Sequence, residues 1–352
     1  MEEFREYITL GYTELDRLGE VDCRPYAAVD VTRVCFSELD YDPWELIRAI
    51  RAQLTQAPLA LTLAGQCLTG DRVQPDDVVE AFVAKSVENG ISEFRIYDPL
   101  NDPRNLQTAI SAAKKFGASV YAGMVYAKNS AYSPAFFAGY AAQLDALGAD
   151  GVWLFSLSDE FACRDLIKTI KESSGLPLGA SCATSVISEI ALDAGADFFE
   201  NEASEIIPAE CSDSIEKVRE DAGSPPLYGF VRDIILEQAE KNLNTEAYTA
   251  VAPRFKDLIL GKYGKAPCPI SQELISSICG GEALVLVRPA DLIEPALDLI
   301  EDKIAAWIEQ EEDVLTYALF GSDAIEFFKR RNAKRYSLDL PHSHPEKGIH
   351  TI

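Results

Sequence analysis

The sequence predicts an α/β protein: a (β/α)8-like barrel of the TIM type that lacks its first strand, followed by a mostly helical C-terminal domain. Three observations carry this. From residue 27 to about 200 one unit returns, consisting of a short apolar or β-branched strand, a polar cap, an amphipathic helix and a glycine. The closing glycines, Gly90, Gly117, Gly148, Gly175 and Gly195, stand 27, 31, 27 and 20 residues apart, the period of a β/α barrel. Beyond about residue 205 the alternation stops, and Pro225-Pro226 marks a joint before a helical stretch.

The elements follow in order. Residues 1 to 19 read as a helix, with Phe4, Ile8, Leu15 and Leu18 roughly periodic, where a barrel first needs a strand. Strands are expected at 27–35, 58–63, 92–97, 118–125, 149–155, 176–180 and 196–200, which is seven. Helix starts are signalled by Asp42 with Pro43, by Pro75, and by Asp102 with Pro103, because an acidic cap and a first-turn proline both suit the free amides there. Val79, Phe82, Val83 and Val87 form one apolar stripe, and Phe136, Phe137, Tyr140, Leu144 and Leu147 another. The expected organisation is a barrel over 1–205, a linker over 206–227, a helical domain over 228–336 and a loosely ordered tail over 337–352. A seven-stranded barrel leaves two strand edges that something must cover.

Composition narrows the function. A net charge of −25 repels polyanions, so nucleic acid is excluded as a partner. No apolar run is long enough to span a bilayer, and the acidic start "MEEFREYITL" is not a signal segment, so no membrane insertion and a cytoplasmic location are expected. Eight cysteines without a C-x-x-C pair read as reduced, packed thiols.

Several segments carry a resemblance: "DPWELIRAI", "GQCLTG", "DDVVEAFVAKSVENGISEFRIYDPLNDPRNLQTAISAAKKFGA" and "LDALGAD" in the first part, then "VREDAGSPPL", "LGKYGKAPCPI", "RPADLIEP" and "EEDVLTYALF". In these the chain resembles the carboxyltransferase subunits of biotin-dependent carboxylases, namely those of pyruvate carboxylase, of oxaloacetate decarboxylase (its α chain) and of transcarboxylase (its 5S subunit). The resemblance implies a carboxylase-type C-terminal domain. It also implies a barrel in which a divalent metal and carrier-bound biotin serve carboxyl exchange with a 2-oxo acid such as pyruvate or oxaloacetate.

The resemblance also implies that the chemistry has been lost. The family holds its metal with an aspartate on the first strand, a carboxylated lysine and a His-x-His. Here the first strand has no counterpart, Phe155 stands at the lysine with Ser156 after it, and Ser181 and Ala183, or a neighbour, stand at the histidines. Ala64 of "AGQC" replaces the arginine that would grip the substrate carboxylate, and a methyl group cannot make that bidentate contact. The family segment with the proton-relaying threonine is shortened between about 203 and 213. All three histidines, His342, His344 and His350, lie in the tail.

Of the remaining polar groups, Arg95 and Asp98 match the family and read as an internal ion pair or loop anchor, with a residual catalytic role as the alternative. Asp159 and Glu160 are the other acids near strand ends, Cys67 and Cys182 read as inert buried thiols, and Glu309, Glu311, Glu312 and Asp313 as a solvated face. The expectation is a degenerate, non-catalytic structural or regulatory subunit, with no metal, no cofactor and no catalytic residue. It would form a homo-oligomer, or a hetero-oligomer with carboxylase or biotin-carrier subunits. The rival is an active carboxyltransferase or decarboxylase with a rebuilt site.

Overall fold

A computed structural model describes residues 5–24, 26–129, 131–202, 212–244 and 246–339. Eight parallel strands run in sequence order: β1 (Tyr7–Thr9), β2 (Ala28–Asp30), β3 (Leu59–Leu63), β4 (Glu93–Ile96), β5 (Ser119–Val125), β6 (Gly151–Leu157), β7 (Leu178–Cys182) and β8 (Phe198–Asn201). Around them lie the short α1 (Tyr12–Leu15), α2 (Leu18–Asp22) and α3 (Thr32–Phe36), then α4 (Pro43–Gln53), α5 (Asp76–Glu88), α6 (Gln107–Lys115), α7 (Pro134–Ala146), α8 (Glu160–Ser174) and α9 (Ser185–Ala194). The helical part holds α10 (Ser212–Asp221), α11 (Gly229–Asn244), α12 (Pro253–Ile259), α13 (Gln272–Cys279), α14 (Leu297–Ile304), α15 (Asp313–Phe320) and α16 (Ser322–Asp339).

The TIM-type fold class is as expected, but the missing first strand is not missing. Residues 7–9 form β1, in register with β2 from Tyr7 opposite Ala28 to Thr9 opposite Asp30. The residues just before it reach β8: Glu6 bridges Phe199, the Phe199 amide donates to the Arg5 carbonyl at 2.9 Å, and Arg5 Nε donates to the Asp197 carbonyl. The ring therefore closes on itself, and the two open edges expected of a seven-stranded barrel do not exist. Four apolar residues spread over nineteen fit a helix by spacing alone, yet among the described residues there only α1 and α2 are helical, because Tyr-Ile-Thr is β-prone and pairs with β2. The expected strand 27–35 stops at Asp30, whose carboxylate accepts from the Thr32 amide at 2.8 Å and turns the chain into α3. Elsewhere the cap signals hold: Asp42 accepts from the amides of Trp44 and Glu45, and Asp102 from that of Arg104.

Among the described residues the apolar side chains form two large bodies and a small third one, which joins Leu39 and Ile304 to Phe327 and Phe328. One large body lies between the strands and their outer helices, and includes Trp44, Phe82 and Phe137. The other fills the barrel lumen and runs without interruption into α10–α13, joining Tyr97, Trp153 and Phe155 to Phe230, Ile234 and Phe255. Residues 203–211, most of the segment expected to be shortened between about 203 and 213, and residues 340–352 with the three histidines lie outside the described residues.

Candidate functional site

Alternate residues of each strand face the lumen and stack in layers. The deepest layer is aromatic: the Tyr7 ring lies 4.6 Å from Trp153 and 5.5 Å from Phe198, with Tyr121 at 6.2 Å. Glu93 sits in this layer and accepts from the Tyr7 hydroxyl at 3.2 Å. Its other oxygen is buried with no hydrogen-bond partner, and desolvation pushes the carboxyl up to about 7, against the Tyr7 hydrogen bond and the attraction of Arg95.

The next layer holds the charges. Arg95, 2% exposed, donates to Asp30 at 2.9 Å and to Glu200 at 2.6 Å, and its guanidinium lies 4.9 Å from the Trp153 ring. Burial opposes its charge, but Glu200 and Asp30 outweigh that and hold it protonated. The two carboxylates are satisfied further: Asp30 accepts from the Thr62 hydroxyl at 2.5 Å, and Glu200 from the Thr9 hydroxyl at 2.6 Å and the Ser181 hydroxyl at 3.0 Å. Ser181 in turn accepts from Trp153 Nε1 at 2.8 Å.

The top layer, where barrel enzymes place their chemistry, is aromatic again. Phe155 is 2% exposed, 5.0 Å from the Tyr97 ring and 5.8 Å from Tyr228, which arrives from the helical part just ahead of α11. Tyr228 also meets Tyr97 edge to face and donates to Glu202 at 3.0 Å. Space for the Phe155 ring comes from Gly123, where a Cβ would lie 2.6 Å from it and 2.7 Å from Tyr97. Just past Phe155 the register with β7 shifts, and Ser156 takes a φ of +60°. Beside this plug a cavity of about 470 Å³ opens to solvent, lined by Thr32, Thr62, Ala64, Tyr97, Arg232 and Asp233 among others.

The structure thus brings Phe155, Ser181, Arg95 and Ala64 into the lumen and its mouth. Ala183 lies past the end of β7, its amide donating to the Leu157 carbonyl. Asp98 is not Arg95's partner: it ties the loop after β4, accepting from the amides of Leu100 and Asp102 and from Asn105 Nδ2. Desolvation pushes its carboxyl up to about 7 although those donors favour the charged form. Asp159 caps α8 and pairs with Lys128 at 2.8 Å, which holds it below the usual carboxylate range. Burial raises the thiols of Cys67 and Cys182, the latter to about 12, so neither is a thiolate at neutral pH. The acidic run near 311 is a solvated face only in part: Glu311 is exposed, where it meets Lys85, but Asp313 is fully buried against Arg331 at 2.7 Å.

Sequence reading missed Asp30, Glu200 and Tyr228. Asp30 and Glu200 each break an apolar strand, "AAVD" and "FFEN", at an inward position of period two, which was the available signal.

The eight-stranded barrel joined through its mouth to a helical body has the fold of solved carboxyl transferase domains, and residues 209–350 match the model of the conserved carboxylase domain. This protein is a homologue of the carboxyltransferases of biotin-dependent carboxylases. It is 29% identical to a pyruvate carboxylase subunit of Methanocaldococcus jannaschii, over 84% of this chain and 69% of that one. It is 27% identical to the methylmalonyl-CoA carboxyltransferase 5S subunit of Propionibacterium freudenreichii, over 93% and 84%. The carboxyl transferase domain of Rhizobium etli pyruvate carboxylase, solved with pyruvate and biocytin, shares the fold with a TM-score of 0.80 at 16% identity, over 94% and 78%.

These likenesses correct the expectation of no cofactor. The homologues are biotin-dependent, and the Rhizobium etli domain was solved with biocytin, so biotin is the cofactor that goes with this kind of chain. The metal that the family implies is a separate matter of fit. Among the described residues no three histidines, cysteines or acids converge on one point, and between Asp30 and Glu200 stands the guanidinium of Arg95. A divalent cation would have to displace that cation, so the lumen does not fit the metal and no step is derived through it. Among the described residues no helix is long and apolar enough to cross a membrane.

Proposed function

We propose that this chain is a structural or regulatory carboxyltransferase-type subunit of a cytoplasmic biotin-dependent carboxylase, one whose own barrel does not carry out the carboxyl transfer. It joins copies of itself or active carboxylase and biotin-carrier subunits. The observation that supports this reading is the filled lumen: a paired Arg95–Asp30–Glu200 layer beneath a Phe155–Tyr97–Tyr228 lid. Neither layer offers a nucleophile, a base that touches the mouth, or a cation left to grip a 2-oxo acid. Residues 206–227 are proposed as the connection between barrel and helical domain.

A second reading, an active enzyme with a rebuilt site, is favoured by one feature only, the 470 Å³ cavity beside Ala64 with its threonine hydroxyls and the Arg232 and Asp233 pair. One experiment separates the two. The purified chain is given a biotinylated carrier and pyruvate or oxaloacetate, alone and with an active carboxyltransferase subunit, and turnover is followed alongside the mass by light scattering. No turnover alone and a mixed complex support the subunit reading. Carrier-dependent turnover by the chain alone overturns it.

A further inference from the structure

A second cleft lies in the helical part, with a lining distinct from that of the cavity beside Phe155. It has a volume of about 610 Å³, within the usual range of ligand sites, and runs between α12, α13 and the extended segment 283–287. Its walls are apolar: Leu258, Ile259, Ile270, Ile275, Leu284 and Leu286. The segment that forms one side is pinned at its middle, by the Val285 amide donating to the Leu260 carbonyl at 2.8 Å and by Arg104 Nη1 donating to the Leu286 carbonyl at 3.0 Å. Leu286 is nonetheless 79% exposed, an apolar side chain held out over an apolar trough.

The two cations of the cleft gather at one end. Arg104 grips Asp102, and the Lys265 amide donates to the same carboxylate at 2.8 Å, which brings the exposed Lys265 beside Arg104. Arg104 and Asp102 neutralise each other, so that end keeps the positive charge of Lys265. None of the lining residues is acidic, in a chain whose net charge is −25. An apolar trough with a cationic end and no acid selects an amphiphile of the opposite pattern.

We propose that this cleft binds a small amphiphilic carboxylate, with its acyl chain along Leu258, Ile270 and Leu286 and its head group at Lys265. The inference is independent of the reading of the barrel mouth. Cys268 lines the cleft and is partly exposed, which supplies a reporter. In a full-length Cys23→Ser, Cys211→Ser background, maleimide addition to Cys268 is timed by intact mass with octanoate, octylammonium or acetate present.

Octanoate should slow labelling saturably, with a midpoint of roughly millimolar for so small a ligand. Octylammonium and acetate should give no protection at the same concentration. Lys265→Glu, at an exposed position that does not threaten folding, should weaken octanoate protection about tenfold. Leu286→Asp should weaken it as well. Equal protection by octylammonium, no protection by octanoate, or an unchanged midpoint in Lys265→Glu would each overturn the proposal.

Discussion

Replacing Glu93 by glutamine should make the protein more stable in alkaline solution while leaving it unchanged in acid. The folded carboxyl titrates at about 7 against an ordinary value of 4.5, so below pH 4.5 both states hold the proton and the group is at its most favourable. Between 4.5 and 7 the unfolded chain has lost the proton and the folded one keeps it, so stability falls as pH rises, at up to about 1.4 kcal/mol per pH unit. Over that window the loss amounts to about 3 kcal/mol and then levels off. Desolvation raises the value, the Tyr7 hydrogen bond and Arg95 oppose it and Asp30 and Asp150 add to it, and none of these groups changes in the variant. Urea denaturation of both proteins at pH 5, 6, 7 and 8 measures the difference directly, with the similar contribution of Asp98 cancelling. Parallel pH profiles for the two proteins would refute the argument, and so would a Glu93→Gln variant that is less stable at pH 8.

Other changes test the lumen layer by layer. Arg95→Met leaves Asp30 and Glu200 buried without their cation and should cost about 3–5 kcal/mol in the same denaturation assay at pH 7. Phe155→Ala removes a ring packed on two tyrosines and a tryptophan, and should cost about 3–5 kcal/mol in thermal or urea unfolding. Ser181→Ala strips the partner from the buried Trp153 Nε1 and one donor from Glu200, with an expected loss of about 1–3 kcal/mol and a shift in tryptophan fluorescence.

What could be read from the sequence follows the range of the interactions involved. The start of α4 was legible because Asp42, Trp44 and Glu45 are neighbours, and the cap forms among them. The αL glycines Gly175 and Gly195 were legible for the same reason, as each ends the helix beside it. β1 was not, because three residues are too few to show a period, and their identity as a strand is settled by β2 and by contacts near residue 199. Phe155, Ser181 and Ala64 could be singled out by resemblance, but the partners they meet in the lumen could not. Arg95 lies 65 residues from Asp30 and 105 from Glu200, and nothing local to any of the three announces the others.

The apolar body that passes from the lumen into α10–α13 has a consequence for how the molecule can be divided. The conserved carboxylase model begins at residue 209, as though a separable module started there. The side chains do not respect that line, since Tyr97 and Phe155 below it and Tyr228 and Phe230 above it share one dry interior. A chain cut at that point would uncork the barrel and wet both halves. Recombination between relatives can therefore exchange the loops on the outer helices freely, but must inherit the stopper and the neck of the flask together.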